Sequence, residues 1–161
     1  MQRTKAGARA WGIDVARCVF MKTGSTRSLS ALRTDHDALI VLTNDILAII
    51  VEADRQKMQA AISALQALVA AHLDDEEREL LPRYAKHAPE DAARIKEDHA
   101  GIRRALAELD IQTDLHLLRA DAMHSLLAAL QAHAAWEDAG MYRWATAAPT
   151  QQLSVEPTAD Q

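Results

Sequence analysis

Apolar residues recur at three- and four-residue steps along most of the chain, and this spacing predicts amphipathic helices. Four such stripes are present, over residues 32–50, 58–81, 95–109 and 118–144. Polar runs separate them, at residues 52–57, 86–91 and 110–114. Because these connections are short, successive helices should be antiparallel, and the pattern predicts an all-α, up-down-up-down four-helix bundle.

Individual residues indicate where the helices begin and end. Pro82 lies within the second pattern, where it would remove a backbone hydrogen bond, so we expect a kink or an early end there. Pro89, followed by acidic residues, is typical of a first helical position and predicts the start of the third helix. Thr113 or Asp114 is a candidate cap for the fourth helix.

Composition supports a helical domain and excludes several classes of protein. Hydrophobic residues make up 49% and aromatic residues only 4%, with much Ala and Leu, which favours helix over sheet. The single cysteine, Cys18, allows no internal disulfide framework. No apolar run approaches the roughly 20 residues needed to span a bilayer. We therefore expect a soluble, cytoplasmic protein without a membrane partner.

The first 27 residues differ in charge from the rest of the chain. The net charge is −5, yet residues 1–27 hold six Lys/Arg and one Asp, which is +5, so the rest carries −10. An acidic body argues against nucleic acid as a partner. Residues 1–27 superficially resemble an organellar transit peptide, although we favour a basic leader or arm. The bundle is expected over residues 28–146, and a flexible tail over 147–161.

A pattern of histidines and glutamates occurs twice in the sequence. Each half has a lone histidine and then an H-x-x-x-E step: His36 with His72 and Glu76, and His99 with His133 and Glu137. Matching histidines of the two halves are 63 and 61 residues apart. Such a repeat of metal-ligand residue types at helical spacing indicates a site.

The predicted turns test whether the four histidines can meet. In an antiparallel bundle, residues at one level lie equally far from the turn between their helices. The midpoints between successive histidines fall at residues 54, 85–86 and 116, in or beside the predicted turns. The four histidines are therefore predicted to share one layer of the interior.

The donor types narrow the chemistry of this layer. Imidazole nitrogen with carboxylate oxygen suits iron, manganese or zinc better than calcium or magnesium. Two related sets of ligands suit two metal ions bridged by the glutamates, with a coordination position left for a small molecule. A single histidine on an apolar stripe is more often an ordinary core residue, but six potential ligands, repeated and at one level of the bundle, favour a metal site.

The ordered set of His36, His72-x-x-x-Glu76, His99 and His133-x-x-x-Glu137 resembles the hemerythrin-like (HHE cation-binding) domain over roughly residues 28–146. The resemblance implies a bundle around two non-haem iron ions, oxo- or hydroxo-bridged, with Glu76 and Glu137 as bridging ligands. Oxygen-carrying hemerythrins have a further histidine where this chain has Arg103. They also use H-x-x-x-x-D on the last helix; Asp138 has that spacing, but the repeat favours Glu137.

The presence of Arg103 in place of this further histidine argues against reversible O₂ carriage. The resemblance therefore implies binding or turnover of a small oxidant (O₂, H₂O₂ or NO), with a possible peroxide- or NO-reactive oxidoreductase activity. The alternative is a non-catalytic iron sensor or iron-handling protein whose folding follows iron occupancy. A third hypothesis is a purely structural bundle.

Other residues receive ordinary interpretations. Tyr84 and Tyr142 could be extra ligands, but a hydroxyl in water at the bundle end is favoured for both. Most of the acidic run 74–79, apart from Glu76, is expected to be solvated. Asp35 and Asp98, each preceding a ligand histidine, could support that ligand, but adjacent residues of a helix point apart, so solvent is favoured for both. The remaining predictions are surface or partly buried histidines and packing aromatics: His87, His116, His124, Trp136 and Trp144.

Overall fold

The computed structural model describes residues 28–52 and 54–147 of the 161-residue chain. Every regular element over these residues is a helix, which confirms the predicted all-α class. The helices are α1 (Leu29–Glu52), α2 (Arg55–Glu79), α3 (Leu81–Tyr84), α4 (Pro89–Asp114), α5 (Ala120–Ala139) and α6 (Met141–Ala147). No described helix has the length and apolar character required to cross a bilayer.

Four long helices form the bundle. Helix α1 packs against α2 and α5, and α4 packs against the same two helices. Short connections after Glu52, Tyr84 and Asp114 reverse the chain, so the predicted up-down-up-down arrangement is confirmed. The two short helices, α3 and α6, follow α2 and α5 directly and contact each other at one end.

The helix starts follow local chemistry. Asp54 caps α2, because its carboxylate accepts a hydrogen bond from the backbone N–H of Lys57 at 3.0 Å. Helix α4 begins at Pro89 as predicted, with Glu90 and Asp91 in its first turn, where negative charge favours the helix dipole. The early end predicted near Pro82 is also confirmed, because α2 ends at Glu79.

The predicted cap of the fourth long helix is wrong. Thr113 and Asp114 are the last residues of α4, which continues through the run 110–114, and α5 begins only at Ala120. The Thr113 hydroxyl donates to the carbonyl of Leu109 at 2.7 Å, so it is satisfied inside the helix instead of capping the next one.

Buried apolar side chains form two clusters separated along the bundle axis. The main cluster includes Ile62, Leu65, Ile102 and Leu126. The end cluster surrounds α3 and α6 and consists of Leu32, Leu80, Leu81, Tyr84, Ala92, Ile95, Met141, Tyr142 and Ala145. Each predicted ligand histidine lies in the chain between a residue of one cluster and a residue of the other. Apolar packing therefore encloses the histidine layer from both sides.

Two sequence predictions lie outside the described residues. One is the basic leader or arm, residues 1–27, which contains Cys18. The other is the C-terminal tail, of which only the first predicted residue, Ala147, is described, as the end of α6. The domain boundaries therefore stay predictions.

Candidate metal centre

The six residues predicted as ligands come together in the layer between the two apolar clusters. Each of these six residues is at most 5% exposed to solvent. All four long helices contribute: His36 from α1, His72 and Glu76 from α2, His99 from α4, and His133 and Glu137 from α5. The i, i+4 spacing within α2 and α5 places each histidine and glutamate on one helix face.

The histidine rings occupy one layer but are grouped in pairs. His36 and His72 have ring centroids 4.6 Å apart, and His99 and His133 have centroids 4.9 Å apart. Between the pairs, the rings of His36 and His133 are separated by 5.8 Å and those of His72 and His133 by 6.5 Å. Each close pair therefore comes from one half of the repeat.

Glu137 lies among three histidines. Its Oε2 atom is 3.1 Å from His36 Nε2 and 3.2 Å from His133 Nε2, while its Oε1 atom is 3.2 Å from His99 Nε2. The two carboxylate oxygens thus face histidines from both halves of the repeat.

Glu76 is placed in the same way. Its Oε1 atom lies 3.5 Å from His72 Nε2, and its Oε2 atom lies 3.4 Å from His99 Nε2. The hydroxyl of Tyr142 donates a hydrogen bond to Oε1 of Glu76. The glutamate therefore faces one histidine from each half and is also held by a phenol.

Many polar atoms of these six side chains make no hydrogen bond within the described part of the chain. Both ring nitrogens of His36, His72 and His133, and Oε2 of Glu76 and Glu137, are buried without a well-aligned partner. Buried polar atoms of this kind are costly unless something else binds them. Nitrogen and carboxylate lone pairs directed at one another are a donor set that fits a transition-metal ion.

The ligand atoms fall into two overlapping groups, each within 4.8 Å of one another. One group is His36, His72, His133 and Glu137; the other is Glu76, His99, His133 and Glu137. His133 and Glu137 belong to both groups. The layer can therefore hold a metal cation, and its geometry contains more than one four-ligand arrangement.

The charges of the layer divide the histidines into two kinds. Burial alone would lower the pKa of His99, but hydrogen bonds with Glu137 and Glu76 outweigh it and raise the pKa to about 10. Burial lowers the pKa of His133 to about 4, and the neighbouring histidines add to this effect. His133 is consequently neutral at physiological pH, which is the form of imidazole that binds metals.

The carboxylate and phenol nearby stay in their ordinary forms. Burial would raise the pKa of Glu137, but the nearby imidazoles of His36 and His99 lower it below its usual range. Burial raises the pKa of Tyr142, and the negative charge of Glu76 raises it further. Glu137 is therefore a carboxylate and Tyr142 a neutral donor.

Three expectations about residues near the layer are wrong. Tyr142 is fully buried, with its ring stacked on His36, so its hydroxyl is not in water. Tyr84 is 3% exposed, and its hydroxyl donates to Asp91 at 3.2 Å. Asp35 is 5% exposed, with Oδ2 at 3.5 Å from Nδ1 of His72. Each partner belongs to another helix, which sequence spacing alone does not reveal.

The acidic run 74–79 also contains a residue that sequence reasoning missed. Glu77 was expected in solvent, but its Oε1 atom lies 2.9 Å from Nδ1 of the buried His99. Arg103 donates to that same oxygen at 2.6 Å and to Asp74 at 2.7 Å. The signal that could have found Glu77 is the basic residue, Arg103, four positions after a ligand histidine.

The other interpretations agree with the structure. His87, His116 and His124 are exposed, Asp98 is half-buried, and the half-buried Trp136 and Trp144 pack against the end cluster. Asp138 is exposed and accepts a hydrogen bond from Arg33 at 2.9 Å. It therefore lies on the outer face of α5, while Glu137 faces the layer.

One cavity lies far along the bundle from this layer. It has a volume of about 600 Å³ and is lined by residues near the α1–α2 and α4–α5 turns, including Asp54, Met58, Thr113 and His116. None of its lining residues belongs to the histidine layer. The metal centre is thus a packed interior layer and not part of this cavity.

Together, the bundle and its buried histidine–glutamate layer define a helical cation-binding protein. The family model for the hemerythrin HHE cation binding domain matches residues 27–145. The chain therefore belongs to the hemerythrin HHE family, as its ligand pattern predicted. Neither the curated proteins nor the solved structures include a match.

Proposed function

We propose that this chain is a non-haem di-iron protein that binds or turns over a small oxidant, O₂, H₂O₂ or NO. The observation that carries the proposal is the orientation of the two glutamates. Glu76 directs Oε1 toward His72 and Oε2 toward His99. Glu137 directs Oε1 toward His99 and Oε2 toward both His36 and His133, so each glutamate faces histidines of both halves of the repeat.

The histidine pairing supports two ions. One imidazole directs one nitrogen at a metal, so His133 serves a single ion, whereas a carboxylate has an oxygen for each. The close pairs His36–His72 and His99–His133 would then each hold one iron, with Glu76 and Glu137 shared. Each ion receives two nitrogens and two carboxylate oxygens, so exchangeable positions are left.

Chemistry with small oxidants would come from the iron pair, which can exchange electrons with a bound molecule. The chain's own groups prepare the environment. The two apolar clusters exclude water from the layer, which strengthens electrostatic interactions inside it. Tyr142 holds a proton at its hydroxyl, against Glu76. Arg103 stands where oxygen-carrying hemerythrins have a further histidine, so this position supplies no imidazole to the layer. Its guanidinium instead donates hydrogen bonds to Glu77 and Asp74.

Iron analysis of the purified protein after anaerobic loading tests the proposal. We expect about two irons per chain, and oxidant-dependent absorbance changes when the reduced protein meets O₂, H₂O₂ or NO in stopped flow. His72→Ala should lose most of the iron, while the matched variant His124→Ala, at an exposed histidine, should retain it. Fewer than about one iron per chain in the wild type would contradict the proposal.

The buried, poorly satisfied donors favour a second candidate function, a non-catalytic iron sensor or iron-handling protein. Six titratable side chains enclosed by apolar packing destabilise the protein unless metal binds them, so folding would follow iron occupancy. Comparison of circular dichroism with and without iron, followed by addition of peroxide, separates the two functions. A large change of fold without turnover favours the sensor, and turnover with an unchanged fold favours the oxidant-reactive protein.

A further inference from the structure

The outer nitrogen of His99 has a defined partner. This imidazole is fully buried, and its Nε2 atom faces Glu76 and Glu137 inside the layer. Its Nδ1 atom points the other way and lies 2.9 Å from Oε1 of Glu77. An ionised carboxylate can only accept a hydrogen bond, so Nδ1 carries the proton.

Arg103 holds this carboxylate from the opposite side. Its Nη1 atom donates at 2.6 Å to Oε1 of Glu77, the same oxygen that faces His99, and its Nη2 atom donates at 2.7 Å to Asp74. Glu77 and Asp74 both belong to α2, whereas Arg103 and His99 both belong to α4. The guanidinium therefore bonds two carboxylates of the facing helix and fixes the one that contacts the histidine.

We propose that Glu77 is a positioning residue for the metal centre. By accepting a hydrogen bond from Nδ1 of His99, Glu77 fixes the ring orientation and leaves Nε2 as the atom that faces the metal. Arg103 keeps Glu77 in place. This inference rests on the proposed metal binding of the layer. Carboxylate acceptors of this kind also make a metal-bound imidazole a stronger donor.

A variant series with zinc as a diamagnetic probe tests the inference. Loss of the hydrogen-bond partner of a metal-binding histidine typically weakens metal binding by about 10–100-fold, and we expect an effect of that size for Glu77→Ala. Glu77→Gln should lose less, because its amide oxygen still accepts from Nδ1. Arg103→Met should also bind zinc more weakly than the wild type, because Glu77 is then held only by His99. Affinity is measured by competition with a chromophoric chelator.

Glu79→Ala is the matched control. Glu79 lies on the same helix, its side chain is 27% exposed compared with 30% for Glu77, and it accepts from Arg78 at 3.1 Å. We expect the zinc affinity of this variant to be within about twofold of the wild type. Circular dichroism of each variant without zinc verifies that the helices are formed.

A second readout reports on His99 directly. In ¹H–¹⁵N spectra of the zinc-loaded protein, the Nδ1 proton of His99 should be protected from exchange in the wild type and in Glu79→Ala. It should exchange rapidly in Glu77→Ala. Equal zinc affinity of Glu77→Ala and Glu79→Ala, or an unchanged Nδ1 proton in Glu77→Ala, would overturn the positioning role alone. Absence of zinc and iron binding in the wild type would instead overturn the proposed function, and this inference with it.

Discussion

Glu137 and Glu76 make different contributions to the two ligand groups, and this difference predicts how metal stabilises each variant. Glu137 belongs to both four-residue groups, whereas Glu76 belongs to one. Replacement of either by glutamine preserves size but removes the charge and one ligand oxygen. Both glutamates are shared in the proposed arrangement, so each variant should weaken both metal positions. Glu137 faces three histidines and Glu76 faces two, so the loss of affinity should be larger for Glu137→Gln.

The magnitude follows from linkage between binding and folding. An ion that binds only the native state stabilises it by about 2.7 kcal/mol when its concentration is 100 times its Kd. Two ions bound independently would add about 5.4 kcal/mol to the free energy of unfolding of the wild type. If Glu76→Gln loses about 10-fold in affinity at both positions, about 2.8 kcal/mol remains. If Glu137→Gln loses about 100-fold in affinity at both positions, roughly 0.8 kcal/mol remains.

Anaerobic urea denaturation with and without ferrous iron measures these increments. Each variant is compared with itself without iron, so its own effect on the metal-free protein cancels. Glu79→Gln, at an acidic residue of α2 outside the layer, is the control and should give the wild-type increment. An undiminished increment in Glu137→Gln would refute the reasoning. A wild-type increment of only about 2.7 kcal/mol would point to a single ion.

Three further predictions concern the bundle around the site. Ile62→Ala, at a fully buried residue of the main cluster, should lower the free energy of unfolding by about 2–5 kcal/mol, measured with urea, without changing the iron content. Asp54→Ala removes the cap of α2 and should lower Tm at pH 7. The hydrogen bond from the Lys57 N–H lowers the pKa of Asp54 below its usual value of 3.8, so the stabilisation is present above 3.8. It is lost as the pH falls through the lowered pKa, and the difference in Tm should close there; a constant difference would contradict this. Gly140→Ala places a Cβ atom 2.9 Å from the hydroxyl oxygen of Tyr84 and should cost about 1–3 kcal/mol in thermal unfolding, whereas an unchanged Tm would show that Tyr84 moves freely.

The sequence by itself determined the number of long helices, their order and the level at which the ligands meet. Apolar periodicity reports which face of a helix is buried, and short connections between helices of similar length leave an antiparallel order. Because the chain reverses at each turn, His36 and His72 must lie level if their midpoint, residue 54, is the turn. The structure has residue 54 in the connection between α1 and α2. The repeated H-x-x-x-E step separated Glu137 from Asp138, and the two residues lie on different faces of α5.

Only the tertiary structure decided what surrounds the ligands. Asp35, Glu77 and Tyr142 all contact a ligand that belongs to another helix. Whether such a residue meets a neighbouring helix or solvent depends on the rotation and separation of the packed helices. Periodicity within one helix does not contain these quantities. Spacing along the chain therefore predicts the ligand layer, whereas packing between the helices determines which groups hold those ligands in place.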